Sequence, residues 1–364
     1  MLREIYEQPR SLRETIRRNV EGNNIFPGGV RSIDSAFSGA RKIIIAASGS
    51  SRNAGLAGEI MVEDLSGVAV DVEYSSEYCL RPSHADTDSI VVVVTQSGET
   101  ADTIAAQREA LRRGAKTVAI SNVADSTIVH EASAKLITYA APECAVPATK
   151  SFTAQLAILY LFALFLAQER GRIRSVDVHN YLDRLAEVPN EIEAQLSSWD
   201  SQFAEVAKSI RDAKAFLYLG RGIHYAIARE GALKLKEVSY VQAEGMPAGE
   251  LRHGPNALVD EKLVVVALAT RDASDHDSTL RYQKTVDVLA YVKGCGGRVI
   301  AIASEGDREV SQIADRVISA PSAPELLLPI LEVVPLQLFA YHFATINGCD
   351  VDHPRHLVKA VVRE

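Results

Sequence analysis

The sequence is short of cysteine, of clustered basic charge and of long apolar runs. Its four cysteines, Cys79, Cys144, Cys295 and Cys349, stand far apart in 364 residues with no CxxC pair, so neither a zinc knuckle nor a disulfide framework is expected and a reducing cytoplasm fits. Basic residues run no longer than pairs such as Arg112-Arg113, and the net charge is -8. A nucleic-acid partner is therefore not expected. The opening MLREIYEQPRSLRETIRRN lacks the apolar core of a signal peptide. The most apolar stretch, LAILYLFALFLA at 156–167, is too short to span a bilayer and reads as a buried helix, so no membrane partner is expected either. Neither the GxGxxG spacing of a dinucleotide fingerprint nor the GK[ST] of a P-loop is present.

What is there is an ordinary globular composition, 47% hydrophobic and 24% charged, arranged in a repeating pattern. Short β-branched runs, KIIIAA (42–47), VAVDVEY (68–74), SIVVVVT (89–95), KTVAI (116–120) and KLITYA (135–140), alternate with helix-patterned segments. That alternation predicts a parallel sheet covered by helices on both faces. A polar helical stretch around 173–210 follows the apolar helix, and the alternation then restarts with AFLYLG (215–220), KLVVVALAT (262–270), RVIAIAS (298–304) and RVISAP (316–321), with helices expected over 225–242 and 277–293. The reading is an α/β chain of two similar doubly wound, flavodoxin-like domains in tandem. Its expected divisions are a helical lead-in over 1–25, a first domain over 26–172, a connector over 173–210, a second domain over 211–346 and a tail over 347–364.

Two strand-to-helix turns in the first copy are rich in hydroxyls: Ser48, Gly49, Ser50 and Ser51 after KIIIAA, and Thr95, Gln96, Ser97, Gly98, Glu99 and Thr100 after the valine run. Such turns sit where open parallel sheets take ligands, and unpaired N–H groups at a helix N-terminus favour an anion. If their strands are neighbours, Ser50, Ser51, Gln96, Ser97 and Thr100 surround one phosphate with neutral donors. The alternative is that Ser97 and Thr100 only cap their helix.

Candidates for chemistry lie in the second copy. In REGALKLKEVSY (229–240), Lys234 and Glu237 are three apart and share a helix face. His253 precedes Gly254-Pro255 and is expected in a loop. Taken singly, Glu237 reads as a solvated helix carboxylate and His253 as a surface histidine. His342 reads as a core or interface residue. His353 and His356 lack an acidic partner motif, and no metal is expected.

The pieces TQSGETADT, ATKSFTAQL, LGRG, EGALKLKEVSY, AGELRHGP and VDHPRHLVKAVVRE resemble, in order and from about residue 4 to Glu364, the isomerase half of the glutamine:fructose-6-phosphate amidotransferase family, a tandem of two sugar isomerase (SIS) domains. The resemblance implies that Ser51, Gln96, Ser97 and Thr100 hold the phosphate of a hexose 6-phosphate, with Thr95 where the family usually has serine and with Val146 and Ala148 beside the sugar. It implies Glu237 as the base that moves a proton between C1 and C2, His253 at ring opening, Lys359 beside the carbonyl, and Lys234 as the companion of Glu237. It also implies a homodimer in which His253 completes the partner's site, with hexose phosphate and ammonia as substrates and no cofactor. The chemistry is coherent: a carboxylate can accept and return a proton in place, histidine titrates near neutrality, and lysine can add to a carbonyl or stabilise charge beside it.

Departures from the family pattern widen the expected activity. No cysteine precedes Cys79, so no glutaminase nucleophile is present, and the chain is expected to use ammonia, to run in the deaminating direction, or to be one part of a longer enzyme. Ala148 stands in place of a serine, Ser48 in place of a cysteine, and Gly245-Met246-Pro247 differs from the usual small residues. The alternatives are a glucosamine-6-phosphate deaminase, a fructosamine-phosphate deglycase or, from another class, a sugar-phosphate sensor that binds without catalysis.

Overall fold

The computed structural model describes residues 1–27, 39–82 and 85–362. The start of the expected first domain, at 28–38, and the last two residues of the expected tail fall outside these described residues.

Strands β1 (Lys42–Ala47), β2 (Ala69–Tyr74), β3 (Ser89–Val94), β4 (Lys116–Ser121) and β5 (Ala134–Ile137) form a parallel sheet in the order β2-β1-β3-β4-β5. Every residue of β3 is buried, as a valine run covered on both faces requires. Each of those valines contributes about 1.5–3 kcal/mol of burial. A second parallel sheet repeats the plan. It contains β6 (Ala215–Gly220), β7 (Gln242–Pro247), β8 (Val264–Ala269), β9 (Arg298–Ser304) and β10 (Arg316–Ala320), in the order β7-β6-β8-β9-β10. Both orders place a topological switch point between the first and third strands of the copy, the position where doubly wound sheets take ligands.

The principal helices are α1 (Gly49–Ser66), α2 (Ala101–Arg112), α3 (Lys150–Glu169), α4 (Val178–Ser209), α5 (Ile223–Ser239), α6 (His276–Gly294) and α7 (Leu328–Ile346). In each copy the helix after the first strand packs on the last helix through a glycine. A Cβ on Gly58 would stand 2.9 Å from the side chain of Leu159, and one on Gly231 would stand 2.6 Å from that of Leu336. Both glycines stand eleven residues past their strand ends at Ala47 and Gly220, so the duplication extends to the packing detail.

Several expectations need correction. The helix expected over 225–242 stops at Ser239, because Tyr240 turns left-handed with φ 62°, and residues 242–247 become the edge strand β7. His253 is not in a loop but ends a 3-10 helix, Ala248–His253. Strand β8 starts at Val264 because the Asp260 carboxylate accepts the N–H groups of Lys262 and Leu263 and holds them in a turn. The apolar run at 156–167 belongs to a helix of 20 residues, long and apolar enough to cross a membrane by length and composition, but 94% of its most apolar window is buried in protein.

The chain divides into two compact units that interleave along the sequence, where contiguous domains were expected. One unit, carrying the first sheet, comprises Glu7–Glu143, Lys150–Glu187 and Val358–Glu364; the other comprises Met1–Tyr6, Cys144–Thr149 and Val188–Leu357. The expected connector is mostly the single helix α4, with its first ten residues in one unit and the rest in the other. The expected tail is likewise shared, and its part from Val358 onward belongs with the first sheet.

Candidate functional site

In the first-sheet unit, β1 and β3 pair up to Ala47 and Val94, so the two hydroxyl-rich turns leave neighbouring strands at the switch point. The β3 turn is rigid. Asn122 N–H donates to the Gln96 carbonyl at 3.2 Å, Ile128 N–H to the Gly98 carbonyl at 3.2 Å, and Thr127 donates twice to the Glu99 carboxylate, at 2.7 and 2.8 Å. Gly98 has φ +72°, and a Cβ there would lie 2.0 Å from Ser126 Oγ, so only glycine fits.

Inside the turn, Thr95 Oγ1 and Thr100 Oγ1 are 3.2 Å apart, and Thr95 Oγ1 accepts the Gly98 N–H. Ser97 Oγ accepts the Glu99 N–H at 3.2 Å. Thr100 occupies the N-cap position of α2 without making a side-chain cap hydrogen bond, and Ser48 does the same for α1. Capping therefore does not account for the Thr100 hydroxyl. At the β1 turn, Ser51 Oγ accepts from Gln155 Nε2 of α3 at 3.0 Å, which fixes one wall. Ser50, Ser51, Gln96, Ser97 and Thr100 are all part-exposed. The neighbouring Arg52 turns away and stacks on Tyr74 at 3.7 Å, so the charge next to the turn is directed to the sheet edge.

The same unit holds Lys359. Its Nζ lies 2.6 Å from Glu143 Oε2, and Glu143 also accepts from Ser151 N–H at 3.2 Å and Ser151 Oγ at 2.7 Å. Two residues further on, the Val361 carbonyl accepts the N–H of Ala101, the first residue of α2, at 3.1 Å. The amine and the two hydroxyl-rich turns are thus carried by one unit. Glu143, Ser151 and Gln155 are absent from the sequence-based candidates. Glu143 lies in an irregular segment without periodicity, and 216 residues separate it from Lys359, so no local signal links them.

In the other unit, α5 presents Lys234 and Glu237 together. Lys234 Nζ lies 2.5 Å from Glu237 Oε2 and 3.5 Å from Glu230 Oε1. Lys234 and Glu230 are buried and Glu237 keeps a 21% exposed side chain, which leaves its carboxylate accessible. His253 is exposed at the end of its 3-10 helix and makes no hydrogen bond to either among the described residues. Val146 and Ala148 also belong to this unit; both are half-buried, and Val146 N–H donates to the Asp352 carbonyl at 2.9 Å. His342 pairs with Asp200 at 2.5 Å, while His353 is exposed near Asp350 and His356 is exposed.

These features place the chain in a class of tandem doubly wound α/β proteins whose first switch point is lined by hydroxyls and amides. The SIS domain family profile matches residues 36–165 and 209–347, and the chain belongs to that family twice over. Its relatives are more particular. The chain is 44% identical over 366 residues to the isomerizing glutamine-fructose-6-phosphate aminotransferase of Chlorobaculum tepidum, covering 100% of this chain and 58% of that protein. It is 33% identical to the solved C-terminal domain of glucosamine-fructose-6-phosphate aminotransferase from Francisella tularensis, covering 97% of both chains with a TM-score of 0.90. The glucosamine-6-phosphate deaminase of Thermotoga maritima, at 20% identity, 99% and 98% coverage and a TM-score of 0.72, shares the fold. The chain spans somewhat under three-fifths of the length of the curated aminotransferases it matches.

Proposed function

We propose that this chain interconverts fructose 6-phosphate and glucosamine 6-phosphate with ammonia. The observation that carries the reading is the placement of two hydroxyl-rich turns on neighbouring strands and of a lysine amine on one unit, joined through Ala101 and Val361. Ser51, Gln96, Ser97 and Thr100, with Ser50 and Thr95 beside them, hold the phosphate. His253 opens the sugar ring by acid-base catalysis. Ammonia adds to the C2 carbonyl and water leaves, giving an imine. Glu237 takes a proton from C1 and returns it to C2, while the C1 hydroxyl proton passes to the imine nitrogen, which leaves an aldehyde at C1 and an amine at C2. Lys234, paired with Glu237 through its amine, holds the carboxylate in position for the transfer. Lys359 supports the carbonyl end, and Val146 and Ala148 flank the sugar. The active species is a homodimer in which His253 serves the partner's site.

Purified protein assayed with fructose 6-phosphate plus ammonium, and separately with glucosamine 6-phosphate, tests this. Turnover in either direction that Glu237→Gln abolishes supports the reading. Binding of both sugars with equal inertness of wild type and mutant replaces it with the sensor reading. Turnover of glucosamine 6-phosphate alone favours the deaminase.

A further inference from the structure

We infer that Glu143 is the positioning residue for Lys359, and that it docks the C-terminal segment so that the amine stands ready beside the phosphate turns. The catalytic half of this inference rests on the function proposed above; the docking half does not.

The Glu143 side chain is fully buried, and a buried carboxylate needs partners for both oxygens. One oxygen accepts the Ser151 N–H and the other accepts Ser151 Oγ and Lys359 Nζ. Ser151 is the second residue of α3, so the carboxylate also meets the positive end of a helix of 20 residues. Lysine has a flexible four-carbon stem and loses rotamer freedom only if something holds its end. Here a rigidly anchored carboxylate holds it.

The backbone leading to Glu143 adds an independent observation. Tyr139 and Ala141 are non-glycine residues in the left-handed region, with φ 53° and 60°. Such conformations persist where the surroundings over-determine them, and they cluster at functional sites. Asn122 does the holding. Its Oδ1 accepts from Thr138 Oγ1 at 2.8 Å and from Ala140 N–H at 2.7 Å, and its Nδ2 donates to the Ala141 carbonyl at 2.9 Å. Asn122 follows β4, so the chain that delivers Glu143 is tied to the end of a central strand. Strain is maintained there to bring one carboxylate to one lysine.

The test compares wild type with Glu143→Gln, Glu143→Asp and Ser151→Ala by two readouts. The first is the rate at which an amine-reactive acylating reagent labels Lys359 relative to Lys116, followed by peptide mass spectrometry. The second is the split of kcat and KM for the hexose phosphates. With the carboxylate removed, Lys359 labels several-fold faster and kcat falls roughly ten- to hundredfold with little change in KM. Ser151→Ala, which leaves the carboxylate but loosens it, moves both in the same direction by less, and Glu143→Asp recovers part of the loss. Unchanged labelling in both Glu143→Gln and Ser151→Ala overturns the docking. Faster labelling with kcat unchanged overturns the catalytic positioning. If wild type turns over no hexose phosphate, the proposed function and the catalytic half fail together, and labelling alone still decides the docking.

Discussion

Four residues past the end of β1 stands Ser51, whose hydroxyl meets Gln155 of α3; four residues past the end of β6 stands His224, whose ring meets Glu332 of α7. Thr95 and Thr270 are each the first residue beyond β3 and β8, and Thr270 also donates to Glu332. The two switch points are built from the same positions, yet one presents neutral hydroxyls and the other is filled by its own charges. His224 Nδ1 lies 2.7 Å from Glu332 and Nε2 3.3 Å from Glu325, while Arg281 Nε donates to Glu325 at 2.8 Å and Ser278 Oγ donates to it as well. Burial opposes a charge on His224, but Glu332 and Glu325 override it and push its pKa up to about 10. Burial likewise opposes ionised Glu325, but the His224 contact outweighs it and holds the carboxyl near 2. The second crevice is thereby occupied, and the ion pair of Lys234 and Glu237 in that copy lies further along α5. There Lys234 takes the position that Met61 holds in α1, fourteen residues past the strand end in both. The two copies differ at equivalent positions: one leaves its crevice lined by part-exposed hydroxyls, and the other fills its crevice with a buried imidazole and two carboxylates.

The most disruptive way to probe this division is Glu237→Gln, which leaves the open crevice alone. Turnover is expected to fall 10²–10⁴-fold, the range for removing a general base, with hexose phosphate still bound; steady-state kinetics beside calorimetric binding check both. Next comes His224→Ala, which strands two buried carboxylates and is expected to destabilise the second-sheet unit by about 3–5 kcal/mol in chemical denaturation. The same cluster sets a pH window. His224 is raised from 6.5 to about 10, so its stabilisation is whole below pH 6.5 and is lost as pH climbs through 10. Glu325 is depressed from 4.5 to about 2, so its share is whole above pH 4.5 and is lost as pH falls through 2. The melting temperature of wild type minus His224→Ala is therefore expected to be largest between those two ordinary values.

A smaller effect should separate the crevices directly. Thr100→Val is expected to weaken hexose phosphate binding by about 1 kcal/mol, roughly fivefold, with little loss of stability. Thr270→Val should leave that binding unchanged and lower stability instead, because Glu332 loses a donor. The smallest effect is expected at Glu59 on α1, where burial, with Glu63 and Asp71 adding to it, pushes the carboxyl up to about 7. A raised carboxyl contributes fully below pH 4.5 and loses that contribution as pH rises through 7, so Glu59→Gln should stabilise the first-sheet unit above pH 7. The side chain is partly solvated, which limits the gain to about 1 kcal/mol. Urea denaturation at pH 6 and pH 8 checks the sign.

The hydroxyl-rich turns were legible because they are local. Valines buried on both faces, a glycine and a cluster of hydroxyls lie within ten residues, and strand, turn and helix follow from that order alone. Lys234 and Glu237 were legible for the same reason, as one helical turn holds both. Glu143, Gln155 and the His224 cluster were not. Each is a polar residue whose partner lies many residues away, and nothing in its own neighbourhood distinguishes it from a solvated side chain. Strand β7 was missed because a single left-handed tyrosine ended the preceding helix sooner than its periodicity indicated.

Sequence by itself determined the first sheet, four of the five strands of the second, their duplication and the residue types at those strand ends, since periodicity and turn chemistry act over a few residues. Which of those ends stays open, which is filled by an imidazole between carboxylates, and which distant carboxylate receives the C-terminal lysine were decided only by the tertiary structure. The physical reason is that a charge is stabilised or neutralised by whatever is packed against it, and folding, rather than chain order, selects those neighbours.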